Sequence, residues 1–421
     1  MKQSFESMRT AMQRHLEQGI IPFWQQRCLD REHGGYLTNF DEQGRDLGTP
    51  EKYLNTQCRI IWGFSRFHRL YPALPGLQEV AQAGVDFLLR HFWDPVHGGW
   101  YWKVHRDGSR LDDGKVVYGQ SFAIYALAEY TRATEDARGL DYAGRTFDLL
   151  QKHCADTRYG GYYENFEPDW QISAGGFCAG DRKGLDTHMH LMEAFTTLAE
   201  ASGAAIHRRK LGEIIGLIVA HMIDPRSGCG RNQFDLAFLP IPAIAIRRTW
   251  NAEREGEAPP QPTDTTSYGH NVELVWLMRR AVEAAGLSLA DFKPTMRRIL
   301  DHAAEHGVDW EYGGIYRDGT HDGGALILEK EFWQHSESLV GFLEGAELFD
   351  EPRYADAAEA IWDFVNRHMI VHAVGEWRTL LDRKGKPIDP NIGNPWKVCY
   401  HTGRAMVESI GLLDKLLARR K

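Results

Sequence analysis

Several histidines sit at the starts of apolar, helix-patterned segments, where an imidazole can be held in place and still exchange protons near neutral pH. His270 lies in Ser267-Tyr268-Gly269-His270-Asn271-Val272-Glu273, and His401 in Trp396-Lys397-Val398-Cys399-Tyr400-His401-Thr402-Gly403-Arg404. His188 and His190 lie in Asp186-Thr187-His188-Met189-His190, and His335 in Phe332-Trp333-Gln334-His335-Ser336-Glu337. Two earlier segments carry Arg59 and Tyr118-Gly119-Gln120 at the corresponding places. His270 and Glu273 are three residues apart, so they share a helix face. A carboxylate there would raise the proton affinity of the imidazole and fix its tautomer, which suits general acid–base work. The same spacing also fits an exposed ion pair without chemistry. Metal binding is not expected: His188 and His190, two apart, share no helix face, and there is no HExxH. No cofactor is expected either, because no GxGxxG or Walker motif stands between a strand and a helix.

A repeat positions these residues. Gly-Gly-aromatic signals and their variants recur with second glycines at 35, 99, 161, 230, 314 and 375, each followed by a strand-like run and a turn. An amphipathic segment precedes each signal, and a more apolar one follows, over 55–69, 118–132, 186–201, 267–285, 332–348 and 398–418. Each unit therefore reads helix, Gly-rich β-hairpin, helix. Twelve helices in six hairpin-linked pairs predict an all-α (α/α)6 barrel, the first helix of each pair outside and the second inside. Residues 1–421 then form one catalytic domain; an open helical solenoid is the alternative. His91, His153, His221, His306 and His368 recur at one register near the ends of outer helices, which suggests a structural role capping carbonyls. The polar, Pro-rich stretch 251–266 reads as a surface loop, with or without a role as a lid.

Composition narrows the function. With 49 Lys+Arg against 58 Asp+Glu the net charge is -9, and no basic block invites nucleic acid or an anionic membrane. No apolar run approaches the roughly 18 residues of a membrane span. The start, Met1-Lys2-Gln3-Ser4-Phe5-Glu6, lacks a hydrophobic signal core, so a cytoplasmic protein is expected. Six scattered cysteines read as reduced core thiols. The 13 Trp and 19 His fit a large core, and equally a cleft that stacks on sugar rings and moves protons.

Six motifs in order carry a resemblance over nearly the whole chain. They are Leu54-Asn55-Thr56-Gln57-Cys58-Arg59-Ile60-Ile61-Trp62, Tyr118-Gly119-Gln120-Ser121-Phe122-Ala123, Thr187-His188-Met189-His190, Ser267-Tyr268-Gly269-His270, Trp333-Gln334-His335-Ser336-Glu337 and Trp396-Lys397-Val398-Cys399-Tyr400-His401. Together they resemble the N-acylglucosamine 2-epimerase superfamily, and within it the cellobiose 2-epimerase and mannose 2-epimerase branch. The resemblance implies an (α/α)6 barrel and a small-molecule sugar substrate whose C2 proton is exchanged by His270 and His401. It implies that Glu273 and Glu337 orient or polarise those imidazoles, and that Arg59 holds the substrate oxygens and the enediolate. It further implies sugar binding by His190, Tyr118, Trp333, Trp396 and the position of Asp186. Branch members carry Asn where this chain has Asp186, so free mannose or glucose is expected alongside cellobiose.

Inversion at C2 needs proton removal from one face of the sugar and delivery to the other. One base does not easily serve both faces of a planar enediolate, so two opposed imidazoles are the natural arrangement. An aldose–ketose isomerase, taking mannose to fructose, would use the same intermediate and protonate C1. An (α/α)6 glycoside hydrolase would instead need two carboxylates about the scissile bond, a part open to Glu273 and Glu337. A non-catalytic carbohydrate- or protein-binding barrel would keep the tryptophans without needing His270 or His401.

Overall fold

Apolar residues at three- and four-residue spacing bury one stripe of a helix, or all of it where the stripe widens. The computed structural model, which describes residues 2–249 and 259–419, contains twelve such rods among those residues. The outer rods are α1 (Lys2–His15, continued through a π turn at Leu16–Ile20 into Ile21–Arg27), α3 (Leu77–His91), α5 (Ala137–Leu149), α7 (Ala205–Leu217), α9 (Leu289–His302) and α11 (Pro352–Phe364). The inner rods are α2 (Leu54–Leu70), α4 (Val117–Thr134), α6 (Leu185–Ser202), α8 (Tyr268–Ala285), α10 (Phe332–Phe349) and α12 (Cys399–Arg419). The segments expected from the sequence start within one residue of these inner rods.

The inner rods pack in the order α2, α4, α6, α8, α10, α12, and α12 returns to α2. The ring is closed, so this is the (α/α)6 barrel and not an open solenoid. Each later outer rod lies against the inner rod before it, and α1 lies against α12. No helix among the described residues is long and apolar enough to cross a membrane.

The Gly signals build the mouth of the barrel differently from the simple hairpins expected. Within each unit a single bridge or short pairing spans seven residues, as in Leu29↔Tyr36, Trp93↔Trp100 and Ile370↔Trp377. The strands just before the inner helices then pair with the following unit. Glu51–Tyr53 pairs with Lys103–His105, Arg182–Gly184 with Gln233–Asp235, and Lys330–Glu331 with Leu380–Leu381. A bridge between Phe40 and Gly393 joins the last unit to the first.

These bridges correct the register in two units. Ile223↔Gly230 places Gly230 at the position held by Tyr36, Trp100, Tyr162 and Ile315 in other units, so Cys229 stands at the second-glycine site. Glu376 occupies that site in the last unit, next to the bridged Trp377.

The fourth residue of five inner helices anchors this mouth. Gln57, Gln120, His188, Asn271 and His335 accept hydrogen bonds from the backbone N–H of Tyr36, Trp100, Tyr162, Gly230 and Ile315. His188 and His335 therefore face the hairpins and not the barrel axis. Two residues before five of the six inner helices, a buried lysine ties the same loops; before α8 the place is taken by Thr266. Lys52 pairs with Asp30 at 3.0 Å, Lys115 with Asp94 at 2.7 Å, Lys183 with Asp156 at 2.7 Å and Lys330 with Asp309 at 3.2 Å. In the last unit Lys397 finds Glu376 instead, at 3.3 Å.

The repeated outer-helix histidines are structural, but hairpin turns and not helix carbonyls are their neighbours. His91 Nδ1 lies 3.2 Å from the Gly108 carbonyl, and a Cβ on Gly108 would stand 2.2 Å from that nitrogen. His153 and His221 stack on Trp170 and Phe238, aromatic residues of the following turns. Five cysteines are buried free thiols, and Cys178 is only half-buried. The first half of the 251–266 stretch, 251–258, lies outside the described residues; in the second half, Gln261 bridges Ala243 and a strand, Thr265–Ser267, begins.

Candidate active site

The inner helices start at a common level, so equal positions along them face the axis in layers. The sixth residues are Arg59, Phe122, His190, Glu273, Glu337 and Arg404; the second and third residues supply Tyr118, Asp186, Trp333, His270 and His401. All of these except Phe122, Glu337 and Arg404 line a cavity of about 250 Å³ at the mouth. Arg59, Tyr118, Asp186, His190, His270, Glu273, Trp333, Trp396 and His401 all line it. Glu337 does not; it lies directly beneath His401. A more open cleft of about 510 Å³ on the rim, with Glu51, Lys103, Asp112 and Arg248, contains no imidazole, so the enclosed cavity is the chemical candidate.

His401 Nδ1 donates to Glu337 Oε1 at 2.6 Å, which leaves Nε2 as the free ring nitrogen. Burial, with Arg59 and Arg404 close by, holds His401 well below the ordinary imidazole value. Its ring centre lies 6.1 Å from that of Trp333, and His270 is 4.5 Å from the same indole on its other contact. Trp333 thus touches both imidazoles. His270 Nε2 lies 3.5 Å from Asp186 Oδ1. Burial lowers the His270 pKa, and Asp186 partly opposes that effect.

The pairing of His270 with Glu273 expected from their spacing does not form. Glu273 Oε1 accepts from Arg404 Nη2 at 2.7 Å. Arg404 is completely buried and also pairs with Glu337 at 2.8 Å and with Glu193, while its guanidinium lies 4.2 Å from the Tyr400 ring centre and 4.8 Å from that of Trp276. Burial and the neighbouring Glu337 raise the Glu273 pKa. Glu273, Glu337 and His401 bring ligand atoms within 4.8 Å of one another, a spacing that a metal ion could use. The Arg404 guanidinium already bridges those two carboxylates and supplies the positive charge there.

Arg59 is clamped at the cavity wall. Nη1 donates to the Trp396 carbonyl and Nη2 to the Tyr118 hydroxyl, both at 2.9 Å, and the guanidinium lies over Phe122 at 4.6 Å. Arg59 Nε is buried without a protein partner. Trp396 packs at 5.9 Å from both Tyr53 and Trp102, so it is part of an aromatic wall with one edge on the cavity.

His190 Nδ1 donates to Glu193 Oε2 at 2.8 Å, and His190 Nε2 lies 3.2 Å from Asp186 Oδ1. Burial pulls the His190 pKa down, but the two carboxylates raise it to about 10. Burial pushes Asp186 up, and His190, His270 and Arg59 bring it down to about 2. The Asp186 side chain is 47% exposed, towards the cavity.

Glu193 and Arg404 were not among the residues marked by the sequence. The signal was available: His190 and Glu193 have the three-residue spacing of His270 and Glu273, and Arg404 follows His401 at the same interval. The apolar wall Ala243–Ile246 was not marked either, since it comes from a loop of irregular pattern.

The N-acylglucosamine 2-epimerase (GlcNAc 2-epimerase) family model matches residues 35–405. A cellobiose 2-epimerase of Bacteroides fragilis is 29% identical over 413 residues, covering 96% of this chain and 99% of that protein. A D-mannose isomerase of Marinomonas mediterranea is 24% identical, covering 97% and 98%. The solved structure of a cellobiose 2-epimerase from Spirochaeta thermophila superposes with a TM-score of 0.84 at 29% identity, covering 98% of each chain. With the family matched over most of its length, on a closed barrel whose imidazoles share one cavity, the chain belongs to the N-acylglucosamine 2-epimerase family and is a carbohydrate epimerase/isomerase.

Proposed function

We propose that this enzyme inverts C2 at the reducing end of an aldose, interconverting the glucose and mannose configurations, with His401 and His270 as opposed bases. One observation carries the reading: both imidazoles open on one cavity and both touch Trp333, which suits a sugar carbon placed between them. In the open-chain sugar, one imidazole takes the C2 proton. The C–H electron pair moves into the C1–C2 bond, and the carbonyl oxygen becomes the enediolate oxyanion. Arg59, fixed by Trp396 and Tyr118, is placed to stabilise that charge, a contribution on the order of a few kcal/mol. The other imidazole returns a proton to the opposite face. Glu337 holds His401 in the tautomer that keeps Nε2 available.

The relatives act on cellobiose and on mannose by name, and the same sugars, with glucose, are the substrates proposed for this chain. The aldose–ketose reading differs only in delivering the proton to C1; the two imidazoles about one indole favour inversion. A glycosidase role for Glu273 and Glu337 is disfavoured, because both carboxylates are engaged by Arg404 and only Glu273 reaches the cavity. The test is incubation with mannose, glucose or cellobiose in D2O, followed by NMR. The expected product is the C2 epimer carrying deuterium at C2; ketose would establish the isomerase, and cleaved cellobiose a hydrolase.

A further inference from the structure

The last unit of the barrel breaks the rule that the other five obey. In those five, the fourth residue of the inner helix accepts a backbone N–H of the hairpin. In α12 the fourth residue is Thr402, and the acceptor is Glu376 of the hairpin itself, whose Oε1 receives the Trp377 N–H at 2.7 Å. Glu376 also stands in for an aspartate. Asp30, Asp94, Asp156, Asp224 and Asp309 each follow the residue that opens the bridge of their unit; in the last unit Val371 holds that place, after Ile370. Lys397 therefore donates to Glu376 Oε1, at 3.3 Å. The other oxygen, Oε2, accepts from Trp24 Nε1 at 2.6 Å and from Thr402 Oγ1 at 3.1 Å. The carboxylate is fully buried, with two donors on each oxygen, the number it can accept.

Two of these four donors bracket the chemistry. Lys397 follows Trp396, and Thr402 follows His401. The turn that carries Trp396 is fixed from its other side as well: Asn394 Oδ1 accepts from the N–H groups of Trp396 and Lys397, both at 2.8 Å, and Arg59 donates to the Trp396 carbonyl at 2.9 Å. Trp396 and His401 both line the cavity, whereas Glu376 does not.

We propose that Glu376 is a positioning residue of the reaction, which sets His401 against Trp396 by holding Lys397 and Thr402 on one carboxylate. This rests on the two-imidazole reading above. Trp396 bounds the space in which the sugar lies, and His401 must bring Nε2 within reach of C2 in that space. Glu337 fixes the tautomer of His401; Glu376 fixes where the first turn of α12 stands. The first five units anchor each helix start to its hairpin alone. Here the anchor also ties the start of α12 to the turn that presents Trp396, so ring and indole keep one separation.

Three substitutions separate this role from support of the fold. Thr402→Val removes the hydroxyl and keeps the shape, Thr402→Ser keeps the hydroxyl, and Trp24→Phe removes the other donor to Oε2, on the α1 side. In Thr402→Val, kcat is expected to fall by about 10- to 10²-fold, the upper figure matching a misplacement of about 1 Å, with little change in KM. Thr402→Ser should keep kcat, and Trp24→Phe should lose stability in urea while keeping kcat. A native kcat in Thr402→Val overturns the proposal, and so does an equal loss of kcat in Trp24→Phe. The proton of His401 Nδ1–H, bonded to Glu337, gives a second readout by NMR without any sugar. Its signal should move in Thr402→Val and stay in Trp24→Phe; a signal unmoved in Thr402→Val overturns the proposal. If the native enzyme places no deuterium at C2 of mannose, glucose or cellobiose, the two-imidazole reading has failed, and the proton signal still decides whether Glu376 positions His401.

Discussion

Glu337 Oε1 and His401 Nδ1 are 2.6 Å apart, and the same carboxylate is held from beneath by Arg404. The bond fixes which nitrogen of His401 is free and stabilises the imidazolium once a proton arrives. Glu337→Gln keeps the shape but removes the charge. Its kcat is expected to fall about 10²-fold with little change in KM, as steady-state kinetics on the preferred sugar would show. A large KM effect with kcat intact would assign Glu337 to substrate binding instead.

Replacing either imidazole should separate exchange from inversion. His270→Ala and His401→Ala are each expected to abolish epimer formation while circular dichroism stays native. Each variant should still exchange the C2 proton of one configuration, and the two variants should prefer opposite configurations. NMR in D2O with glucose and mannose checks this. Near-normal turnover in either variant would remove that histidine from the mechanism.

Arg404 offsets three buried carboxylates. Truncating one partner of a buried ion-pair network leaves uncompensated charge and costs about 3–5 kcal/mol. Arg404→Met should therefore lose stability of that order in urea unfolding. Arg404→Lys should also be impaired, since an ammonium does not reproduce the contacts to Glu193, Glu273 and Glu337 at once.

His188 and His335 make the fold acid-sensitive. Burial lowers them from 6.5 to about 4 and about 3. Their folded values lie below the unfolded one, so the unfolded chain binds more protons as pH falls below 6.5, and stability drops with it. His190 has the opposite sign: raised to about 10, its contribution is complete below 6.5 and is lost as pH rises through 10. Gln57 and Gln120 do the work of His188 in two other units without titrating. His188→Gln should consequently keep fold and turnover, and flatten the loss of stability between pH 6.5 and 4 in urea titrations.

The barrel was legible in the sequence because its information is periodic: six Gly signals and alternating helices survive without knowledge of any contact. The cavity-lining residues were legible because they recur near inner-helix starts. Partner choice was not. Spacing allows His270 to meet Glu273, but a full guanidinium charge reaching across from α12 is the stronger partner in a buried site, and nothing local in α8 announces Arg404. The same holds for the register. Cys229 and Glu376 stand at second-glycine positions, and only the bridges Ile223↔Gly230 and Ile370↔Trp377 reveal it. With that shift, His221 and His368 fall eight residues before their sites, as His91, His153 and His306 do.

The seam between Phe40 and Gly393, with α12 lying on α2, leaves this protein no terminal repeat. A linear array frays from its ends, where a unit has one neighbour. Here every unit has two, so letting go of one means tearing both of its borders. Amide hydrogens of all six inner helices should accordingly become exchangeable together, in a single global opening, and not in a gradient from one end of the chain to the other.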